Sequence, residues 1–156
     1  MRVWRMCKTK HAATPLDGVG GMHASGCWSE KGTPIVYTSA SPSLAALETL
    51  VHFDPDLEPA LTLIEIDMPG TVSIEECEDP SRLTPRWRET PGPAELRAFG
   101  TRWAREGRSV SLRVPSAVLG TPITVESNYL LNPAHPDMRA IQVVGRQPFA
   151  FDPRLL

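Results

Sequence analysis

Cysteine is scarce in this 156-residue chain, and positive charge is not in surplus. The three cysteines, Cys7, Cys27 and Cys77, are an odd number without C-x-x-C spacing. They fit neither a disulfide framework nor a thiolate metal cluster, and they favour a reducing cytoplasm. The formal net charge of -2 offers no general attraction to a phosphate backbone, so no direct binding to DNA or RNA is expected.

Long apolar runs and several nucleotide and hydrolase motifs are also missing. No stretch approaches the ~20 apolar residues of a membrane span, and the first residues lack the apolar segment of a signal peptide. The four histidines show no zinc spacing, and no G-x-S-x-G, G-x-G-x-x-G or Walker A sequence occurs in a suitable context. The sequence therefore predicts a cytoplasmic protein without a metal site, and gives no support to serine or zinc hydrolases.

Proline is abundant, and its 16 residues are spread along the chain, which indicates many short elements. Seven β-branched or alternating segments are predicted as strands, at residues 3–6, 34–38, 60–66, 72–74, 109–114, 128–131 and 140–144. Helices are predicted at residues 42–52 and 94–106, the second one stopped by Gly107. The pattern predicts a single α+β domain over residues 1–156 with a largely antiparallel sheet.

The helix at residues 42–52 carries the first candidate for chemistry. Ser41 is a suitable N-cap, and Pro42 occupies the first helical position. Glu48 lies at the margin of an apolar arc, where partial loss of hydration would strengthen the field of its carboxylate on a nearby cation. The plain alternative is a boundary glutamate that extends to solvent. The predicted arc consists of Leu44, Leu47, Leu50 and Val51.

Two further positions are candidates for ligand contact. Tyr37 and Ser39 end a predicted strand just before the helix start, which is a common location for ligands, although a tyrosine there could equally fill the core. Asn128 opens a late strand that runs into an Asn-Pro-x-His-Pro turn. The preference of these residue types for turns explains much of this segment. The alternative is that the side-chain amide of Asn128 binds a base or a ribose by hydrogen bonds.

Five segments, taken in order, resemble the RES family, which is named for an arginine, a glutamate and a serine. The five segments occur in the family's order and with its spacing, and together they span nearly the whole chain. The resemblance is therefore stronger than any single segment would support. The segments are VWR at 3–5, GCW at 26–28 with GTPIVYTS at 32–39, LAALE at 44–48 with VH at 51–52, LRVPSAV at 112–118, and ESNYLLNPAHP at 126–136.

The resemblance implies a fold similar to that of ADP-ribosyltransferase toxins, with two packed, mostly antiparallel β-sheets that form an NAD cleft and helices alongside. It implies that NAD is a substrate rather than a cofactor. Family members cleave the bond between nicotinamide and ribose, with water or phosphate as the acceptor, and some transfer ADP-ribose to a protein. A helix-turn-helix antitoxin is expected to occlude the cleft and to form a hetero-oligomer with the toxin.

The resemblance also assigns roles residue by residue. Glu48 matches the family glutamate, which would stabilise an oxocarbenium-like ribose. Tyr37 matches the family tyrosine, which would stack on the nicotinamide or line its pocket. Ser116 matches the family serine in the Val-Pro-Ser-Ala segment. The sequence leaves two roles open for Ser116, contact with NAD or support of the cleft. The residues expected to bind NAD are Arg5, Trp28, Ser39 and Asn128.

Position 27 departs from the family pattern, because Cys27 stands where the family usually has arginine. An arginine would hold a pyrophosphate or a ribose through its planar fork of donors, which cysteine cannot do. Losing such a contact typically costs about 1.5–3 kcal/mol. A weakened enzyme is therefore expected, or a protein that only binds its antitoxin. A nucleophilic role for Cys27 finds no adjacent base in the sequence.

Overall fold

The computed structural model describes residues 1–54, 59–77, 79–120, 123 and 125–156. These residues form seven strands in one hydrogen-bonded sheet with the order β4-β5-β6-β2-β1-β3-β7. The pair β4–β5 is parallel and the other neighbouring strands are antiparallel, which confirms the predicted α+β class. The strands are β1 (Arg2–Lys8), β2 (Val36–Ser39), β3 (Leu61–Asp67), β4 (Ile74–Glu76), β5 (Ser111–Pro115), β6 (Ser127–Leu131) and β7 (Gln142–Phe149).

The sheet narrows to one residue pair between β1 and β2, Trp4 with Ser39. The sheet therefore consists of two halves, β4-β5-β6-β2 and β1-β3-β7, and one core cluster contains Val36 from the first half and Ile64 from the second. The two packed sheets implied by the family resemblance are thus the halves of one continuous sheet.

Three α-helices lie within the described ranges: α1 (Gly20–His23), α2 (Pro42–Leu50) and α3 (Ala94–Glu106). The start of α2 is as predicted, since Oγ of Ser41 accepts a hydrogen bond from the backbone N–H of Leu44 at 3.1 Å. Its end was predicted two residues too late. The backbone N–H of His52 bonds to the carbonyl oxygen of Thr49, which tightens the last turn, and Val51 is 52% exposed instead of joining the apolar arc.

A second core cluster lies under α3. Leu96 and Trp103 of this helix pack with Leu112 and Leu130 of the first half-sheet, and the indole N–H of Trp103 donates to Oγ of Ser109 at 2.8 Å. The helix ends at Gly107 with φ of 59°, the left-handed conformation that glycine adopts without strain. This packing holds the start of α3 beside the loop that precedes β2.

No helix in the described part of the chain combines the length and the apolar character needed to cross a bilayer.

Candidate active site

A cavity of about 480 Å³ opens beside the junction of the two half-sheets. Its volume is in the range of small-molecule sites, roughly 300–1,000 Å³. The walls come from β1, the loop at residues 25–28, β2, α2, the segment 90–92, and parts of α3, β5 and β6. Seven of the eight residues expected from the sequence line it: Arg5, Cys27, Trp28, Tyr37, Ser39, Glu48 and Asn128.

Glu48 projects into this cavity from α2, and two side chains hold its carboxylate. The hydroxyl of Ser116 donates to Oε1 at 2.7 Å, and the amide nitrogen Nδ2 of Asn128 donates to the same oxygen at 2.6 Å. No described residue donates to Oε2. One oxygen is therefore used for positioning, and the other is left to face a ligand.

The amide of Asn128 is itself oriented by a neighbour on the adjacent strand. Ser39 and Asn128 are register partners in the β2–β6 pair, and the hydroxyl of Ser39 donates to Oδ1 of Asn128 at 2.7 Å. This bond leaves Nδ2 to point towards Glu48. Ser39 is only 4% exposed, so within this site its side chain supports Asn128.

Ser116 is the one expected site residue that does not line the cavity. It is fully buried, and its Oγ accepts a hydrogen bond from the backbone N–H of Leu119 at 3.1 Å. Its hydroxyl proton is thereby directed to Glu48. Of the two roles left open by the sequence, the geometry is that of a residue that positions the carboxylate.

Tyr37 ties the loop at residues 26–29 to β2. Its hydroxyl oxygen accepts the backbone N–H of Trp28 at 3.1 Å and lies 3.0 Å from Oγ of Ser29. Burial raises the pKa of the Tyr37 phenol to about 12. A Cβ added to Gly26 would overlap the phenol oxygen, so the close approach of this loop depends on glycine.

Cys27 lies in the same wall and is partly buried. Burial raises the pKa of its thiol, and the negative charge of Glu48 raises it further. A thiol in these surroundings is held in its protonated form, whereas a nucleophilic cysteine needs neighbours that favour the thiolate. The surroundings thus argue against the nucleophilic alternative.

Arg5 brings a buried positive charge to the cavity from β1. Its Nη1 donates to the carbonyl oxygen of Tyr37 at 3.1 Å, while its buried Nε has no hydrogen-bond partner among the described residues. Burial lowers the pKa of this guanidinium, which stays charged near neutral pH. A buried, under-satisfied cation favours the binding of an anion.

Trp28 borders the cavity from the second core cluster. It is 5% exposed, and its ring meets that of Phe99 edge to face at a centroid distance of 6.2 Å. The side chain is therefore anchored by α3 and offers a fixed apolar wall.

The sequence reasoning did not find several lining residues: Thr49, His52, Pro91, Gly92 and Arg97. Thr49 and His52 follow Glu48 on α2 and in the turn after it, so helical spacing could have indicated them. Arg97 and the segment before α3 lie outside the five matching segments, and their position depends on how α3 packs. No local pattern identifies them.

A second cavity, of about 340 Å³, adjoins the first and shares Glu48, Thr49 and His52 with it. Glu48 is thus accessible from two sides of α2. Within the described residues, no group of three histidine, cysteine or acidic side chains is arranged to hold a metal ion.

Comparison with known proteins was made over the whole chain. Residues 2–152 match the RES domain family. The chain is 34% identical to the "Prs ADP-ribosylating toxin" of Sphingobium sp. over 98% of its own length and 95% of that protein. It is 37% identical to "Toxin Res" of Pseudomonas putida over 92% of both chains.

The fold was compared with solved structures in the same way. The toxin–antitoxin complex MbcT–MbcA of M. tuberculosis contains a similar chain, with a TM-score of 0.73 at 15% identity, covering 95% of this chain and 83% of that one. At this identity the similarity concerns the fold. With the family match and the two sequence relatives, the chain belongs to the RES-domain toxin family.

Proposed function

We propose that this protein is an NAD-degrading toxin that cleaves the bond between nicotinamide and ribose, with water or phosphate as the acceptor. The observation that carries the proposal is the carboxylate of Glu48, held through Oε1 by Ser116 and Asn128, while Oε2 accepts no hydrogen bond from any described residue. Such a fixed charge costs no reorganisation when positive charge develops next to it.

The chemistry needs little else from the protein. The glycosidic bond between C1′ of the ribose and N1 of nicotinamide breaks, and its electron pair leaves with the nitrogen. Because the pyridinium of NAD is cationic, nicotinamide departs neutral and needs no proton. The ribose becomes an oxocarbenium ion, which Oε2 of Glu48 stabilises until the acceptor attacks C1′. Water loses one proton to the solvent in this step, whereas an anionic oxygen of phosphate forms the bond without losing a proton.

The rest of the cavity suits the rest of the substrate. Arg5 offers a buried guanidinium whose Nε has no hydrogen-bond partner in the described part of the chain, and a guanidinium suits a phosphate oxygen. Tyr37 and Trp28 provide apolar ring surface against which a nicotinamide can pack. NAD is the substrate in this scheme, and no separate cofactor is required.

A second candidate is transfer of ADP-ribose to a protein, favoured by the name of the Sphingobium relative, "Prs ADP-ribosylating toxin". The bond that breaks is the same, and a protein side chain replaces water at C1′. NAD labelled in its adenylate part separates the two. Label on a protein supports transfer, while free ADP-ribose or its 1″-phosphate supports NAD degradation.

We further propose an antitoxin partner that occludes the cleft in the cytoplasm. The support is the family itself and the similar chain found in a toxin–antitoxin complex. A helix-turn-helix antitoxin in a hetero-oligomer is the expected form. If Cys27 abolished activity, the chain would only bind its antitoxin and act as a repression partner, and it would neither bind nor consume NAD.

The test is NAD turnover by the purified protein, with and without phosphate, for the unsubstituted chain and for Glu48→Gln. We expect kcat to fall by at least 100-fold in Glu48→Gln. Glu95→Gln is the matched control, because Glu95 is an exposed glutamate on α3 outside the cavity. Near-normal turnover in Glu48→Gln would remove Glu48 from the mechanism, and absence of NAD turnover and binding in the unsubstituted chain would overturn the proposed activity.

A further inference from the structure

Arg97 is a cavity residue that the proposed mechanism does not use. It lies in the first turns of α3 (Ala94–Glu106), three residues before Gly100. Residues three apart lie on the same face of a helix. A Cβ added to Gly100 would overlap the carbonyl oxygen of Trp28, so this face of α3 packs directly on the loop that contains Cys27.

The guanidinium of Arg97 is anchored beside position 27. Its Nη1 donates to the carbonyl oxygen of Gly92, and the backbone of Gly92 lies against that of Cys27. A Cβ added to Gly92 would come within 2.7 Å of Cα of Cys27. Arg97 therefore brings a positive charge from another element to the neighbourhood of the residue that stands in place of the family arginine.

Arg97 also has capacity left for a ligand. Within the described residues, it forms no ion pair with a carboxylate, and its bond to Gly92 uses only one of five N–H donors. The remaining donors can form the planar, bidentate contact that arginine makes with phosphate oxygens.

The charges that line the cavity are opposite in sign to the charges of NAD. Among the described lining residues, Glu48 is the only acid, and Arg5 and Arg97 are the arginines. NAD carries one pyridinium cation and two phosphate anions. With the pyridinium end at Glu48, the two guanidiniums are left for the pyrophosphate, and this complementarity selects both the ligand and its direction.

We propose that Arg97 binds a phosphate group of NAD and supplies, from α3, the guanidinium that position 27 lacks. The inference rests on the proposed function and names a residue for its substrate. It also modifies the expectation drawn from Cys27. The loss of affinity caused by a cysteine at position 27 is largely made up by Arg97.

The experiment measures binding of ADP-ribose by calorimetry, because ADP-ribose keeps both phosphates and is not consumed. We expect Arg97→Gln to raise Kd at least tenfold and Arg97→Lys to raise it less. Arg105→Gln is the matched control, since Arg105 is an exposed arginine on the same helix, and its Kd should stay within twofold. In turnover assays, Arg97→Gln should raise KM for NAD more than it lowers kcat.

A double substitution tests replacement of the missing guanidinium. Cys27→Arg should lower the Kd for ADP-ribose at least fivefold in the Arg97→Gln background, and by no more than about twofold when Arg97 is present. Damage to the fold alone would not be repaired by a guanidinium at position 27. Melting temperatures of all variants provide a separate check on folding.

The outcomes separate this inference from the proposed function. If Arg97→Gln binds ADP-ribose as tightly as Arg105→Gln while NAD turnover still depends on Glu48, the inference is wrong and the function stands. A loss of binding that Cys27→Arg does not repair also overturns the replacement by Arg97. If the unsubstituted protein neither binds ADP-ribose nor consumes NAD, both proposals fail together.

Discussion

The hydroxyl of Ser116 lies 2.7 Å from Oε1 of Glu48, although the two residues are 68 positions apart in the chain. Glu48 borders the cavity and Ser116 does not. The serine therefore acts on a reaction through the glutamate and not by contact with the substrate. This separation allows the role of the hydrogen bond to be measured apart from substrate binding.

We expect Ser116→Ala to lower kcat for NAD by roughly 10- to 100-fold, the range of one hydrogen bond to a charged group. KM should change little, because the lost bond positions the carboxylate and does not contact the substrate. Steady-state kinetics gives both values. Ser43→Ala, at an exposed serine on α2, is the control, and a change in KM alone in Ser116→Ala would contradict the positioning role.

Gly26→Ala should disturb the loop that carries Cys27 and Trp28. The added methyl group would overlap the phenol oxygen of Tyr37, and overpacking of this kind typically costs about 1–3 kcal/mol. Thermal unfolding should show a lower Tm by several degrees.

Gly20→Ala is the matched control for this substitution, because a Cβ at Gly20 meets nothing within 4 Å and alanine is favoured in a helix. Its Tm should be unchanged or slightly higher. Equal melting temperatures for Gly26→Ala and Gly20→Ala would show that the loop can move away from Tyr37.

Cys27→Ser should keep NAD turnover within about twofold of the unsubstituted protein. Burial and the charge of Glu48 raise the pKa of this thiol, so no reactive thiolate is available to serve as a nucleophile. The measurement is kcat/KM for NAD. A loss of activity comparable to that of Glu48→Gln would restore a chemical role for the sulfur.

Ionisation of Tyr37 should lower the free energy of unfolding of the protein at alkaline pH. Its pKa is raised to about 12 in the folded protein, against about 10 for an unperturbed tyrosine. Between these values the unfolded chain loses the phenolic proton while the folded chain keeps it. The free energy of unfolding contributed by this group is therefore fully present below pH 10 and is lost as pH rises towards 12.

Denaturant unfolding at several pH values between 9 and 12 measures this dependence. Tyr37→Phe has no phenolic proton at this position, so its stability should fall less steeply over the same range. Parallel curves for the two proteins would contradict the assignment of the alkaline loss to Tyr37.

Local sequence patterns were sufficient for most of the fold. Both predicted helices occur and each predicted strand overlaps an observed one, because alternation, β-branched residues and capping act over a few neighbouring residues. The fourth strand was misplaced, since the segment predicted at 72–74 shares only Ile74 with β4. The prediction for α3 matches both of its ends, since Gly107 is an unambiguous stop. The error at Val51 arose because an apolar side chain continued the helical pattern for one position beyond the end of the helix.

The candidate site was predicted less evenly. Tyr37, Glu48 and Asn128 were candidates from local pattern, the family resemblance added Arg5, and the structure gathers all four around one cavity. Arg97 was missed because its local sequence resembles any polar helix surface. Its approach to Cys27 depends on the absence of side chains at Gly92 and Gly100, which is visible only when α3 is packed against the loop.

The amino-acid sequence by itself determined the class of fold, the family and seven of the residues around the cavity, since these follow from short-range patterns and from segments that match in order. Only the tertiary structure decided which oxygen of Glu48 is held by Ser116 and Asn128, and which arginine stands beside Cys27. Those relationships join residues from distant strands and helices, and the packing of the two half-sheets and α3 sets their distances.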